Sequence, residues 1–322
     1  MSLIKPVSKS VWKYTSKAED VWRGLNGIFA VYKEAGSSWN YAERNLKYFL
    51  CKDLNEMKTR PCGTYTAIEG ETNRRMRVVS KLNYADHELV VGPRYQDEDL
   101  RMLAINPLTS NMSGIMLFGI NRGIKMGSRL QKLNPIKFYK LKGILGHATD
   151  TSFITGKIVE KSTFKFIKRH HVDMVCATIQ SSHQKKMFEF CGVDIQSQAA
   201  YDLAVQGPLM TYDKNIPMLY SIKCIDFDSP EFTLEIACIN EDEEFLKTLV
   251  NGLGLQLRST ATCTQIQCVQ FGLFNLDIAL LRRDWNLECI VKNMTTMRYL
   301  IWKNNALFRK DPVLREYMND CS

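Results

Sequence analysis

The stretch GHATDTSFITGK, residues 146–157, decides which fold the sequence predicts. It follows the run KFYKLKGIL and precedes IVEKSTFKFIKRHH, a basic segment that fits either a helix or a strand. If a helix begins inside the stretch, its first backbone N–H groups would bind a phosphate. The same residues could instead form a polar turn between two strands. We favour the phosphate-binding loop, with a helix that begins at Gly156.

The overall composition is typical of a folded protein. The chain has 322 residues, of which 45% are apolar and 24% are charged, without a low-complexity run or a tandem repeat. No apolar stretch approaches the roughly 18 uncharged residues that a membrane span needs. The N-terminal segment MSLIKPVSKSVWK lacks the continuous apolar core of a signal peptide. We therefore predict a cytoplasmic protein without a membrane span.

The ten cysteines indicate neither a zinc site nor a disulfide framework. They are scattered along the chain without a CxxC pair, and His170 and His171 have no cysteine at ligand spacing. Reduced thiols, buried as small apolar groups, fit this distribution. We predict no metal site.

The positive charge is concentrated in one part of the chain. The formal net charge is +9, and the segment from Arg122 to Arg169 holds twelve Lys or Arg residues against two acids, Asp150 and Glu160. Such a concentration suggests an anionic partner: a cofactor phosphate, a nucleic acid or an acidic surface. A solvated basic face without a partner is the alternative.

Residues 1–210 are predicted to form an α/β domain with a mixed central sheet flanked by helices. The first helix covers SKAEDVWRGLNGIFAVYKEAG, and the second begins at Asn40. Near residue 180 we predict a buried strand VDMVCATI, a short helix SSHQKKMFEFCG and a strand VDIQSQAAYDL. Further strands are predicted from short apolar runs, namely LIKPV, GTYTAIEG, RMRVVSKL, HELVVG, LRMLAIN, SGIMLFGIN and KFYKLKGIL.

Residues 211–322 form either a small C-terminal α+β domain or an extension of the first sheet, and the pattern leaves both open. MLYSIKCIDF and FTLEIACIN are typical of paired strands, and TQIQCVQFGLF of another strand. EDEEFLKTLVNGLG predicts a helix with acids at its N-terminus, where the helix dipole favours them. DWNLECIVKNMTTMRYLIWK predicts a second helix with one apolar face.

Three stretches of the first 210 residues resemble the GCN5-related N-acetyltransferase fold, and within it the invertebrate arylalkylamine-type enzymes. LIKPVSKSVWKYTSKAEDVWRGL is similar to the opening strand and helix, and KLKGILGHATDTSFITGKIVEKSTFKFIKRHHVD to the fourth strand, pyrophosphate loop and third helix. VDMVCATIQSSHQKKMFEFCGVDIQSQAAYDLAVQG is the best match. The resemblance does not extend to the last 110 residues.

The resemblance implies an acyl-CoA-dependent N-acyltransferase that moves an acetyl group to a small amine. Acetyl-CoA would be the cofactor, with its pyrophosphate bound by backbone N–H groups of the loop. The family's Arg or Gln at the start of this loop is absent here, so an inactive member stays open. The cofactor-binding residues implied are Leu145, Gly146, His147, Thr151, Ser152, Thr155, Gly156 and Lys157.

Four residues are candidates for the proton transfers of acetylation, in which a base deprotonates the amine and an acid protonates the thiolate. Ser181 and Ser182 match family positions near the thiol, and Tyr201 follows on the next predicted strand. Glu43, on the second predicted helix, is a candidate base. Helix capping by the serines and by Glu43 is the structural alternative.

A basic nucleic-acid-binding protein, without enzyme activity, is the main alternative from a different class. If the segments around residues 152–179 are all strands, the positive stripe from Arg122 to Arg169 would bind single-stranded RNA through phosphates and stacking. A viral RNA-binding or movement protein fits such a chain. An interaction module that uses the acetyltransferase-like fold only as a scaffold is a third hypothesis. The aromatic residues interleaved with the basic ones are Phe138, Tyr139, Phe164 and Phe166.

Overall fold

A computed structural model describes residues 16–304, except residue 72 and residues 206–215. The helices are α1 (Ala18–Gly24), α2 (Trp39–Glu56), α3 (Glu88–Val91), α4 (Gly123–Leu133), α5 (Arg169–Phe190), α6 (Gln198–Val205), α7 (Glu243–Gln256) and α8 (Leu287–Lys303). The strands are β1 (Gly27–Lys33), β2 (Thr64–Glu69), β3 (Arg77–Leu82), β4 (Met102–Ala104), β5 (Met112–Ile120), β6 (Lys137–Leu145), β7 (His147–Thr149), β8 (Ile158–Lys161), β9 (Met218–Asp228), β10 (Glu231–Ile239), β11 (Ala261–Phe271) and β12 (Phe274–Asn275).

A mixed sheet forms the centre of the molecule, in the order β1-β5-β11-β6-β10-β9. The β5–β11 pair is parallel, and the other neighbours in this order are antiparallel. β4 pairs with the C-terminal end of β5, and β12 pairs with the end of β11 in a short hairpin. The predicted fold class, a mixed central sheet flanked by helices, is confirmed.

Helices cover the sheet and bury its central strands. Every residue of β5 is buried, which is typical of a strand covered on both faces. Helix α4 contacts β5, α5 contacts β9, α7 contacts β11 and α8 contacts β1. Within residues 16–304, apart from the gaps given above, no helix is long and apolar enough to cross a membrane.

Strands from both halves of the chain share this sheet. β10 pairs with β6 from Glu231 to Cys238, and β11 lies between β5 and β6. Strands β9, β10 and β11 are therefore part of the central sheet. The proposed division into domains 1–210 and 211–322 stays a prediction, and its boundary lies outside the described residues, as does the predicted strand LIKPV.

The predicted first helix is wrong in its second half. Helix α1 ends at Gly24, where the Asn26 side chain donates a 2.7 Å hydrogen bond to the carbonyl of Arg23. The chain then enters β1, whose residues from Gly27 to Val31 are buried. In such a short apolar run, the sequence pattern of a helix with one apolar face is hard to distinguish from that of a strand buried on both faces.

Three predicted strands are helical. VDMVCATI belongs to α5, which continues through the predicted short helix SSHQKKMFEFCG. Its buried residues Val172, Cys176 and Ile179 are spaced by four and three, as on one face of a helix. VDIQSQAAYDL forms a turn and then α6, and HELVVG forms the single turn α3.

The stretch at residues 146–157 is a hairpin, so the predicted helix at Gly156 is wrong. The Asp150 amide donates to the Lys157 carbonyl at 3.1 Å, and the Lys157 amide donates to Asp150 Oδ1 at 2.9 Å. These bonds join β7 to β8 through a tight polar loop. Phe153 at the loop is buried, and the next amide donates to the Cys263 carbonyl of β11 at 2.9 Å. The buried aromatic anchors the hairpin to the sheet, and the next helix begins only at Arg169.

Candidate active site

A cleft of about 310 Å³ opens at the end of the sheet where β5 and β6 begin and β10 ends. Its walls come from residues 105–109 before β5, residues 134–139 at the start of β6, and residues 241–243 between β10 and α7. The volume is in the range of about 300–1,000 Å³ that is common for ligand sites. The cleft therefore brings together three segments that are far apart in the sequence.

The loop before β5 is held by the buried side chain of Asn106. Its Nδ2 donates to the Ile115 carbonyl at 2.9 Å, and its Oδ1 accepts from the Leu117 amide at 2.7 Å. Both bonds occupy backbone groups that a neighbouring strand would otherwise pair with. The loop is thereby fixed to β5, and Thr109 lies at the cleft.

Glu241 accepts two hydrogen bonds from β6 at one wall of the cleft. Lys137 Nζ and Tyr139 Oη each donate to Glu241 Oε1 at 2.7 Å, and the Glu241 side chain is 1% exposed. Burial, with the Glu241 charge as the next cause, raises the pKa of Tyr139 well above its ordinary value. Tyr139 is consequently a neutral hydrogen-bond donor over the physiological pH range.

Glu243, in the first turn of α7, forms the second carboxylate of the cleft. Asn111 Nδ2 donates to Glu243 Oε1 at 2.7 Å, and the buried Lys247 forms an ion pair with the same carboxylate. Burial opposes ionisation, but hydrogen bonds from Asn111, Lys247 and Thr109 outweigh it and lower the pKa of Glu243. Lys247 Nζ also lies 5.5 Å from the centre of the Phe153 ring. Glu243 is thus an anion at neutral pH.

Lys33, the last residue of β1, lies beside the start of β5 and is 1% exposed. Its Nζ donates to the Met112 carbonyl at 2.7 Å and to the Glu34 carbonyl at 3.0 Å. Burial lowers the pKa of Lys33 from 10.5 to about 8, although the Glu243 charge acts in the opposite direction. The ammonium is therefore held at an energetic cost below pH 8.

The pH dependence of stability is expected to reveal this buried ammonium. Between about pH 8 and pH 10.5 the unfolded chain keeps the Lys33 proton and the folded chain releases it, so the folded state gains stability as pH rises. Relative to a Lys33→Met variant, the native chain should gain on the order of 2 kcal/mol between pH 7.5 and pH 10. Urea unfolding of both proteins measures the difference. A difference that does not change with pH would show that Lys33 titrates normally.

The eight residues predicted to bind acetyl-CoA lie in or beside the β7–β8 hairpin. Leu145 ends β6, Gly146 follows it, and His147 begins β7. The others lie in the hairpin loop, and Thr262 holds the start of β7 by donating to the His147 carbonyl at 2.7 Å. Those loop residues are Thr151, Ser152, Thr155, Gly156 and Lys157. The structure keeps this group together, but at a strand-to-strand turn and not at a helix N-terminus.

The four residues predicted to be catalytic lie on three helices, and none of them lines the cleft. Ser181 and Ser182 are in the middle of α5, where Ser181 Oγ donates to the Ala177 carbonyl at 2.9 Å. Tyr201 on α6 is 66% exposed. Glu43 on α2 forms an ion pair with Lys47 at 2.8 Å. The helix-capping alternative for the serines is also wrong, because both are far from a helix end.

Sequence reasoning missed the side chains of the cleft. The sequence indicates Tyr139 only as an aromatic residue within a basic stripe, and the acids around Glu243 only as partners of a helix dipole. One signal was present: Glu243 and Lys247 are separated by four residues on a predicted helix, which is the spacing of an ion pair. Among the described residues, no group of three or more His, Cys, Asp or Glu side chains is arranged to hold a metal ion.

Comparison with known proteins gives the family. Residues 107–242 match the model of the TruB family pseudouridylate synthase N-terminal domain. The chain is 37% identical over 282 residues to the mitochondrial pseudouridylate synthase TRUB2 of Xenopus tropicalis, covering 85% of this chain and 86% of that protein. This chain belongs to the TruB family of pseudouridylate synthases. Its human relative, mitochondrial pseudouridylate synthase TRUB2, is 33% identical over 273 residues, covering 83% of this chain and 82% of the relative.

A solved structure, that of an H/ACA RNP bound to a substrate RNA containing 2'-deoxyuridine, includes a chain that is also similar to this TruB-family protein. The match covers 90% of this chain and 60% of that chain, with 11% identity and a TM-score of 0.47.

Membership of the TruB family corrects the resemblance to N-acetyltransferases. The fold is not specifically acetyltransferase-like, and acyl transfer to a small amine is wrong. Acetyl-CoA is wrong as a cofactor, and a coenzyme A thioester with a small amine is wrong as the partner pair. The alternative, a non-enzymatic RNA-binding or movement protein acting through the stripe from Arg122 to Arg169, is also wrong. Polar residues and glycine suit a hairpin turn as well as a phosphate-binding loop, so the composition of residues 146–157 did not distinguish the two.

Proposed function

We propose that this TruB-family chain converts uridine to pseudouridine in RNA, and that the reaction takes place in the cleft. One observation carries the proposal. The ionised Glu243, held by Asn111 and Lys247, lines the same cleft as the Tyr139–Glu241 pair. A perturbed acid in a concave site is where catalytic groups are expected. The family and the net charge of +9, which suits an RNA backbone, support the same conclusion.

The chemistry of this isomerisation needs a carboxylate and a water-poor pocket. The N1–C1′ bond of uridine breaks and a C5–C1′ bond forms, while the hydrogen on C5 is released as a proton and N1 gains one. Atoms and electrons balance without an oxidant, a reductant or a cofactor. Positive charge develops at C1′ when the glycosidic bond breaks, and a carboxylate beside it stabilises that charge, as in glycoside hydrolysis. We assign this role to Glu243.

The base must leave its stack to enter the cleft. Enzymes that act on a base in RNA or DNA rotate the nucleotide out and hold the base between apolar or aromatic side chains. Pro107, Leu108, Pro135 and Phe271 all line the cleft. These side chains would flank the faces of the ring, and the two carboxylates would meet its polar edge and its sugar.

The proposal is tested by following the hydrogen on C5. RNA from cells that lack this chain, grown with uridine carrying tritium at C5, is incubated with the purified protein. Tritium should pass into water with the time course of pseudouridine formation, measured by mass spectrometry of the nucleosides. Heat-denatured protein is the control. Retention of the RNA by the protein without tritium release would contradict the proposed reaction.

The names of the relatives also bear on where the reaction occurs. The frog and human proteins are both named as mitochondrial, whereas the sequence predicted a cytoplasmic chain. We propose that this chain acts on mitochondrial RNA. A fluorescent fusion of the full chain should overlap a mitochondrial stain, and a diffuse cytoplasmic signal would contradict this location.

A further inference from the structure

Glu241 carries an oxygen that the fold does not use. Its Oε1 accepts from both Lys137 and Tyr139, while its Oε2 is buried and has no hydrogen-bond partner in the part of the chain that the structure describes. Within the described residues, two other buried side-chain atoms lack a partner, Asn45 Nδ2 and His183 Nδ1. Neither residue lines the cleft, whereas Glu241 does.

A buried carboxylate oxygen without a donor is costly, so folded proteins almost always pair it. Here Lys137 balances the charge and Tyr139 fixes the orientation, and both donors act on Oε1. The geometry therefore leaves one acceptor that receives no N–H or O–H donor from the described residues.

We propose that Glu241 Oε2 accepts a hydrogen bond from the N3–H group of a uracil base bound in the cleft, which makes Glu241 a specificity-determining residue. The inference rests on the proposed function, because it names how the same cleft recognises its substrate base. Uracil carries a hydrogen on N3, between its two carbonyl groups, and can donate to a carboxylate. Cytosine presents a lone pair at N3, which an anionic oxygen repels. A site built to pair a donor rejects an analogue that lacks it.

Two uridine probes isolate this contact without any change to the protein. One is a uridine decamer. The other is the same decamer methylated at N3 of every base, so that a methyl group replaces each N3–H hydrogen. The native chain should bind the uridine decamer at least about 10-fold more tightly than the methylated decamer or a cytidine decamer. Equal affinity for the uridine and methylated decamers would overturn the proposal.

A Glu241→Gln variant tests whether Glu241 is the acceptor. Glutamine keeps an oxygen for Lys137 and Tyr139 and presents an NH₂ donor where Oε2 lies. The preference for uridine over N3-methyluridine should fall to within about 2-fold, because the donor now faces a donor. Glu235→Gln, at an exposed position of β10, the strand that precedes Glu241, is the matched control and should keep the full preference. An unchanged preference in a Glu241→Gln protein with a native-like thermal transition would remove Glu241 from recognition.

The two proposals fail in different ways. No tritium release, together with a uridine preference that depends on Glu241, would refute the isomerisation and leave recognition of uracil standing. Tritium release that continues at the native rate in Glu241→Gln, with the decamer preference unchanged, would refute the role of Glu241 and leave the isomerisation standing.

Discussion

Replacing Glu243 by glutamine is expected to lower the initial rate of tritium release by at least about 100-fold. The amide has nearly the same shape and can still accept from Asn111, but it lacks the negative charge that would stabilise the cationic C1′. Glu244→Gln is the matched control, since Glu244 is the next residue of α7 and is exposed. That variant should release tritium at the native rate. A Glu243→Gln enzyme within a few-fold of the native rate would show that another group stabilises the reacting sugar.

Stability must be separated from chemistry in this experiment. Without Glu243, the Lys247 ammonium stays buried beside the Phe153 ring without its counter-ion, which should lower the free energy of unfolding by about 3 kcal/mol. A second substitution, Lys247→Met, removes the unpaired charge and should recover most of that loss. The double variant is therefore expected to be folded and inactive. Recovery of activity along with stability would show that the single variant failed only because it was unstable.

Most strands of the central sheet could be predicted from sequence, but β1 and several helices could not. β5, β6, β10 and β11 each consist of an apolar run bounded by turn residues, which local pattern identifies. VDMVCATI has the same appearance, yet its valines and its isoleucine are part of a 22-residue helix. The choice depends on packing against β9, a strand about 50 residues away in sequence, which overrides local propensity.

The site was beyond prediction because no short segment contains it. Thr109, Tyr139 and Glu243 meet only because β5 and β6 flank β11, and α7 follows β10. On the sequence alone, Glu243 belongs to a group of acids at a helix N-terminus, which the dipole explains without function. Its burial against Lys247 and Asn111 is what distinguishes it, and burial is a property of the fold. The loop at residues 146–157 contributes instead through Phe153, whose ring lies against Lys247.

The parallel contact between β5 and β11 connects the core of the sheet to the cleft. Gly114 pairs with Cys268 and has a φ of +125°, a backbone conformation that residues other than glycine rarely adopt. A Cβ atom at this position would overlap the Cys268 backbone, lying 2.7 Å from its nitrogen and closer still to its carbonyl oxygen. Backbone inside a sheet cannot move aside as the end of a flexible side chain can. The glycine is therefore required for this pairing.

A Gly114→Ala substitution is expected to lower the free energy of unfolding by about 3 kcal/mol or more, as the sum of overpacking and backbone strain. Denaturant unfolding measures it, with Gly24→Ala as the control, because a Cβ at Gly24 has no atom within 4 Å. The control should change stability by less than about 1 kcal/mol. Gly114 is the third residue of β5 and lies close to the loop that carries Thr109 and Asn111, so any separation of β5 from β11 moves both side chains relative to Glu243. Protein that remains folded should then lose tritium release as well as stability. A stable and fully active Gly114→Ala chain would mean that β5 and β11 are not paired as closely as the structure has them.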